Sequence, residues 1–177
     1  LASHMHSSLT SPATPWFTMK YDDSEMNSDD QAMEWLEGCS EKMYSAFSAS
    51  NFSTQASEMY ADLCAFGTGA MFVEAATQEE TFKLQFHALH LGSLCIAENA
   101  DGVVDTVYHK RMMSARQALQ RWKDAEGLDR LKDAMERNPD KEFAFLHCVM
   151  PNDDYQPDNP IPGPKNRKFI SYWIAVD

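Results

Sequence analysis

Apolar residues in the first third of the chain recur at steps of three and four positions, the spacing of one face of an α-helix. The stripe predicts a helix from about Asp29 to Ser50. Ser28 or Asp29 is the expected N-cap, because short polar side chains accept hydrogen bonds from the free N–H groups of a first turn. The residues that form the stripe are Met33, Trp35, Leu36, Met43, Tyr44 and Phe47.

A second apolar stripe follows and ends at Gly67, with Ser53 or Thr54 as its expected cap. Its members are Met59, Tyr60, Leu63 and Phe66. The two stripes predict a pair of antiparallel helices joined by a tight turn. Ahead of them, residues 1–9 are compatible with the end of a further helix, which must break near Pro12 because proline lacks a backbone donor.

Beyond Gly69 the pattern changes to the alternation of β-strands. Strands are predicted over Ala70–Ala75 and over Phe82–Leu89, where Phe82, Leu84 and Phe86 alternate with polar residues. Residues 95–99 and 103–110 flank a turn at Gly102, which can take a positive φ, and so predict a β-hairpin.

Helices and then strands return in the last third of the chain. Ser114 caps a predicted helix that contains Ala118, Leu119 and Trp122, and Leu128, Leu131 and Met135 mark another, which ends at Asn138-Pro139. Strands over 142–150 and 169–176 bracket a proline-rich loop, residues 151–168. The expected class is α+β: an antiparallel helix pair, then a mostly antiparallel sheet with a β-hairpin and further helices.

Length and composition predict a single folded α+β region over residues 1–177, with one core as the default. The chain is acidic, with 27 Asp and Glu against 15 Lys and Arg and a net charge of −12. Tight phosphate binding normally requires a Lys/Arg stripe, and the nearest approach is the short segment Lys110–Lys123. No run of apolar residues is long enough to cross a membrane, and no secretion signal is visible.

The four cysteines lie far apart in the sequence and form no C-x-x-C pair. Buried, reduced thiols are the simplest interpretation of Cys39, Cys64, Cys95 and Cys148. Both ends of the chain fall within predicted elements, so we expect it to be an excerpt of a longer polypeptide.

Several small groups of residues invite a chemical interpretation and fail to support one. Residues 66–70 have two glycines but follow a helix and lack the Gly-Lys-Ser/Thr of a phosphate loop. Adjacent strand residues face apart, which argues against a nucleophile and base at His147-Cys148. His87 and His90 also face apart, and no third ligand is spaced to join His4 and His6. We therefore predict no catalytic, cofactor-binding or metal-binding residue and no enzymatic activity.

The order of several motifs resembles portal, or head-to-tail connecting, proteins of T7-like short-tailed phages. The Pro15-Trp16-Phe17 step is distinctive. Departures are His109-Lys110, where the family commonly has an arginine after the tyrosine, and the acidic loop around Asp153. The other segments that carry the resemblance are residues 1–12, Trp35-Leu36, 59–74, 96–108, Gln117 and 169–173.

This resemblance implies a structural subunit of a ring, usually of twelve copies, at one capsid vertex, through which DNA enters and later leaves into the tail. The implied partners are other copies of the chain, a terminase motor, the capsid and tail adaptor proteins. DNA would pass without specific binding, no membrane is involved, and assembly would take place in the host cytoplasm before the subunit becomes part of the virion. The mixed helix and strand pattern resembles the wing region of such proteins.

Two other functions remain open on the residues alone. One is a stand-alone α+β binding domain that docks a protein partner through the proline-rich loop, because proline suits extended recognition segments. The other is an enzyme that uses His147 and Cys148.

Overall fold

A computed structural model describes residues 1–75, 84–123, 125, 127–158, 161 and 163–176. The chain divides into two compact units, residues 1–91 and 92–177. Within the described residues there are five α-helices and two antiparallel sheets. The predicted α+β class is confirmed.

The first unit begins with three helices: α1 (Ala2–Leu9), α2 (Asp30–Ala49) and α3 (Phe52–Phe66). The Asp29 side chain caps α2 by accepting a hydrogen bond from the Gln31 N–H, as its sequence predicts. The predicted caps of α3 are wrong, because Asn51 occupies the N-cap without a capping side-chain bond, and Ser53 and Thr54 lie inside the first turn.

Helices α1 and α3 are joined by side-chain contacts. Thr10 donates a hydrogen bond from Oγ1 to the Tyr60 hydroxyl over 3.2 Å, and Cys64 Sγ lies 3.3 Å from Met5 Sδ. Tyr60 is buried here. The predicted end of α1 is confirmed, since the helix stops at Leu9, before the first proline.

Gly67 ends α3 with a φ of 77°, the left-handed conformation that only glycine adopts without strain. Strand β1 (Ala70–Ala75) then pairs antiparallel with β2 (Leu84–Leu89), from Ala70 opposite Leu89 to Ala75 opposite Leu84. The strand predicted over Phe82–Leu89 is confirmed from Leu84 onward, and Phe82 and Lys83 lie outside the described residues. Phe86, on β2, is buried.

The second unit is built on a four-stranded antiparallel sheet in the order β3-β4-β5-β6. Its strands are β3 (Leu94–Glu98), β4 (Val104–Ser114), β5 (Glu142–Pro151) and β6 (Phe169–Val176). The predicted hairpin is confirmed as β3 and β4, with Gly102 in its turn at a φ of 73°. A register shift interrupts this pairing between Ala97 and Glu98.

Two helices, α4 (Ala115–Arg121) and α5 (Asp129–Arg137), cover one face of this sheet. Ser114 and Gln117 form a capping box at the start of α4, in which each side chain bonds the backbone of the other residue. The core between helices and sheet comprises Met113, Ala118, Leu128, Leu131 and Phe145, with Leu119, Trp122, Phe143 and Trp173 packed against it.

Some side chains that the helical spacing assigned to apolar stripes are instead exposed. Trp35 is 63% exposed and Phe66 is 67% exposed, and Met43 and Met135 are also exposed. A stripe of apolar residues spans a wider arc than one neighbouring element covers, so its margins stay in solvent. The expectation that all four thiols are buried holds for Cys148 and is wrong for Cys95, which is exposed; Cys39 and Cys64 are only half-buried.

Candidate functional site

The pair His147 and Cys148 lies on β5, and neither residue is placed to activate the other. The His147 ring stacks on Trp173 with 4.2 Å between ring centroids, and its Nε2 is hydrogen-bonded to Ser171 Oγ over 2.7 Å. Cys148 lies opposite Tyr172, on the other face of the same sheet. Cys148 therefore has no adjacent base in this geometry.

Two of the other histidines considered as ligands, His87 and His6, are held in ordinary contacts. His87 on β2 pairs with Glu74 on β1, with Nε2 and Oε1 3.1 Å apart. His6 contacts Thr10 Oγ1 through Nδ1 and Ser53 Oγ through Nε2. Across the described ranges, no group of three or more His, Cys, Asp or Glu side chains could hold a metal ion. The glycines of residues 66–70 form the turn from α3 to β1.

The basic residues of segment 110–123 do not form a stripe in the fold. Lys110 and Arg111 are neighbours on β4 and therefore point to opposite faces of the sheet. Arg116 lies 3.8 Å from Asp140, and the Arg121 guanidinium lies over the Trp173 ring, 4.8 Å from its centroid. Arg116 and Arg121 thus contact different partners, and Lys110 and Arg111 lie on different faces of the sheet.

The Pro-Trp-Phe step lies within an aromatic cluster of the first unit. The hydroxyl of Tyr44, on α2, accepts hydrogen bonds from the backbone N–H groups of Trp16 and Phe17 over 2.8 and 2.6 Å and donates one to the Phe17 carbonyl over 2.6 Å. The Phe17 and Tyr44 rings stack at 4.4 Å, and Trp16 stacks on Phe52 at 6.0 Å. This segment has no helix or strand of its own, so these contacts give it a defined position.

The face of the second unit's sheet opposite α4 and α5 is rich in apolar residues. Alternation along the paired strands places Tyr108, Leu146 and Tyr172 on this face, with Lys110 among them. Tyr172 is 52% exposed and Ile174 is 51% exposed. Met112 and Val176 on this face are exposed as well, whereas Cys148 at its middle is buried. The other apolar residues on this face are Ala144, Met150 and Ile170.

The proline-rich loop is closed at its base by one asparagine. The Asn152 amide donates hydrogen bonds to the carbonyls of Pro164 and Arg167, and its backbone N–H donates to the Lys168 carbonyl. Tyr155 and Ile161 are exposed on the loop. The loop is therefore anchored at its ends and presents side chains between them.

The sequence of β6 indicates a buried strand, although much of this strand is exposed in the fold. The strand Phe169–Val176 has no charged residue and is apolar apart from Ser171 and the Tyr172 hydroxyl, a composition that predicts a strand buried on both faces. In the fold this strand lies at a sheet edge with much of its surface open. Among the described helices, none has the length and apolar character needed to cross a membrane.

Comparisons with known proteins give a consistent result. A family model described as bacteriophage head to tail connecting protein matches residues 1–177. The chain is 34% identical over 157 residues to the portal protein of Salmonella phage epsilon15, a match that covers 86% of this chain and 27% of that protein. It is 25% identical over 158 residues to the probable portal protein of Bordetella phage BPP-1, covering 89% of this chain and 28% of that protein. The chain thus spans about a quarter of the length of these curated relatives.

Proposed function

The chain belongs to the family of bacteriophage head to tail connecting proteins, and from this premise we propose that it is a structural part of a portal ring at a capsid vertex. The ring is the conduit through which the genome enters the capsid and later leaves toward the tail. The observation that carries the proposal is the family match over residues 1–177, together with portal relatives aligned over most of the chain.

Within that ring we assign residues 1–177 to the wing-like region and give them a structural role without catalysis. The two antiparallel sheets with their helices are compatible with this assignment. His147 and Cys148, the pair considered for chemistry, are engaged in stacking, hydrogen bonding or packing. These contacts support a structural role for these residues.

The charge of the chain is compatible with DNA passage. A conduit has to let the duplex slide, and a net charge of −12 disfavours the phosphate contacts that would hold DNA in place. The separate engagement of Arg116 and Arg121 also supports passage without specific binding.

The finer features of the assembly follow from the same proposal. The partners are further copies of the chain, about twelve in a ring by the resemblance to portals, and a terminase motor, capsid and tail adaptor proteins. The complex assembles in the host cytoplasm and becomes part of the virion. A stand-alone binding domain that uses residues 151–168 is the alternative, and it predicts a monomer.

Native mass spectrometry and negative-stain imaging of the full natural polypeptide that contains residues 1–177 test this proposal. We expect a ring of defined mass with a central hole. The fragment 1–177 is measured in parallel, to establish whether the interactions that close the ring lie within it. A monodisperse monomer of the full polypeptide across a concentration series would refute the ring and favour the binding-domain alternative.

A further inference from the structure

The second unit's sheet ends in two edge strands, and β6 lacks the features that usually protect an edge. Within the described residues, the order β3-β4-β5-β6 leaves one side of β6 and one side of β3 unpaired. Exposed edges are normally blocked by charges, prolines or bulges. The β6 sequence contains no charge and no proline, and its pairing with β5 runs from Phe169 to Val176, one partner for each residue. This edge is suited to accept another strand.

The opposite edge, β3, is also apolar and open. Cys95 and Ala97 are exposed, and Ile96 is 62% exposed. The register shift between Ala97 and Glu98 confines the regular part of this edge to residues 94–97. The sheet therefore offers a longer apolar edge on one side and a shorter one on the other.

Strand direction makes the two edges compatible with each other. Each of the four strands is antiparallel to its neighbour, so β3 and β6 run in opposite directions. If β3 of a second copy is laid beside β6 without turning the sheet over, the new pair is antiparallel as well. Strand direction then keeps alternating from one copy to the next, and the helices of both copies lie on the same face of the joined sheet.

The charges beside the two edges are complementary in that arrangement. Exposed Arg167 and Lys168 immediately precede β6, and exposed Glu98 and Asp101 lie at the end of β3 and in the turn that follows. In an antiparallel pair, the start of one strand lies beside the end of the other. The basic pair of one copy therefore meets the acidic pair of the next.

We propose that the β6 edge of one copy pairs with the β3 edge of the next copy, so that the sheets of neighbouring subunits join. This contact joins two different surfaces of the same chain. A ring of more than two copies requires such a head-to-tail interface, because each subunit meets its two neighbours through different surfaces. The inference rests on the proposed function and names the surface by which two ring subunits meet.

A single substitution can test this contact, because native Cys95 lies on the β3 edge. Facing residues of paired strands lie on the same side of the sheet. Cys95 pairs with Tyr108, which shares a face with Cys148 and Tyr172. A cysteine at Ile170, Tyr172 or Ile174 is thus on the Cys95 side, and one at Ser171 is on the opposite side.

The bond between these positions has to link two molecules. Within one sheet, β3 and β6 are three strand spacings apart, roughly 14 Å at about 4.8 Å each. Two cysteines whose Cα atoms are more than about 7 Å apart cannot form a disulfide without backbone movement. A disulfide with Cys95 therefore reports contact between copies.

The experiment oxidises I170C and I174C variants of the full natural polypeptide with diamide and analyses them on non-reducing gels; Y172C is left out because Cys148 lies directly opposite Tyr172 in the same sheet and would compete for the disulfide. Assembly of each variant is first confirmed by native mass spectrometry. We expect at least one variant to give a ladder of products larger than a dimer, because every copy contributes both edges. The ladder should be lost when Cys95→Ser is added, and S171C should not produce it.

Three outcomes would overturn the inference in different ways. Assembled rings without a Cys95-dependent product would exclude this contact and leave the proposed function standing. Dimers that persist with Cys95→Ser would indicate that β6 pairs with β6 about a two-fold axis. Failure of the wild-type polypeptide to form a ring would refute the proposed function, and the inference with it.

Discussion

Tyr44→Phe removes one oxygen atom that holds the Pro-Trp-Phe segment against α2. That oxygen accepts from the N–H groups of Trp16 and Phe17 and donates to the Phe17 carbonyl. A tyrosine hydroxyl has one hydrogen to donate and accepts through its lone pairs, so all three bonds depend on it. The substitution keeps the aromatic ring and its stacking on Phe17.

The expected cost follows from the number of bonds and their exposure. A typical hydrogen bond contributes about 0.5–1.5 kcal/mol net, so three bonds set an upper bound of about 4.5 kcal/mol. Trp16, Phe17 and Tyr44 are half-buried, and water can replace part of what is lost. We expect a loss of about 1–3 kcal/mol, which corresponds to about 5- to 150-fold in the equilibrium for opening this segment.

Amide hydrogen exchange at Trp16 and Phe17 measures this opening directly. Both amides should exchange about 5- to 150-fold faster in Tyr44→Phe. Tyr21→Phe is the matched control, because in the described part of the chain its hydroxyl makes no hydrogen bond, although its backbone does. Unchanged exchange at both amides in Tyr44→Phe would refute the role assigned to the hydroxyl, and equal acceleration in Tyr21→Phe would show a nonspecific effect.

Two further predictions concern the stability of the two units, each measured by urea unfolding. Gly67→Ala should destabilise the first unit by about 1–2 kcal/mol, because residue 67 has a φ of 77°. Gly38→Ala should stabilise it by about 0.5–1 kcal/mol, because residue 38 lies inside α2 with open space for an added Cβ. Equal effects of the two substitutions would contradict the conformational argument. Phe145→Ala should lower the free energy of unfolding by about 3–5 kcal/mol, because this side chain is buried in the core of the second unit. Met135→Ala, on the exposed surface of α5, should change it by no more than about 0.5 kcal/mol. A loss below about 1 kcal/mol for Phe145→Ala would show that the site is not packed as described.

The sequence predicted the elements of the fold well where the signal is local. The cap at Asp29, the cap at Ser114 and the turn at Gly102 depend on backbone groups within a few residues, so their chemistry can be read from the chain. Burial at the margins of the apolar helix stripes was harder to predict. Trp35 and Phe66 have helical spacing, but whether a neighbour covers them depends on elements distant in sequence.

The absence of a predicted catalytic site also rested on local reasoning, since adjacent residues on a strand face apart. The structure adds what each of those residues does instead. His147 stacks on Trp173, a partner 26 positions away in the sequence that only strand pairing brings opposite it. No spacing rule could have identified that contact.

By itself, the sequence determined the α+β class, the strands and helices, the acidic charge and the resemblance that the family match confirmed. Only the tertiary structure decided that contacts gather into two compact units, that β6 lies at an edge, and that Cys95 is exposed while Cys148 is buried. The physical reason is that local propensity and periodicity act over a few residues, whereas strand order and burial depend on which distant segments pair.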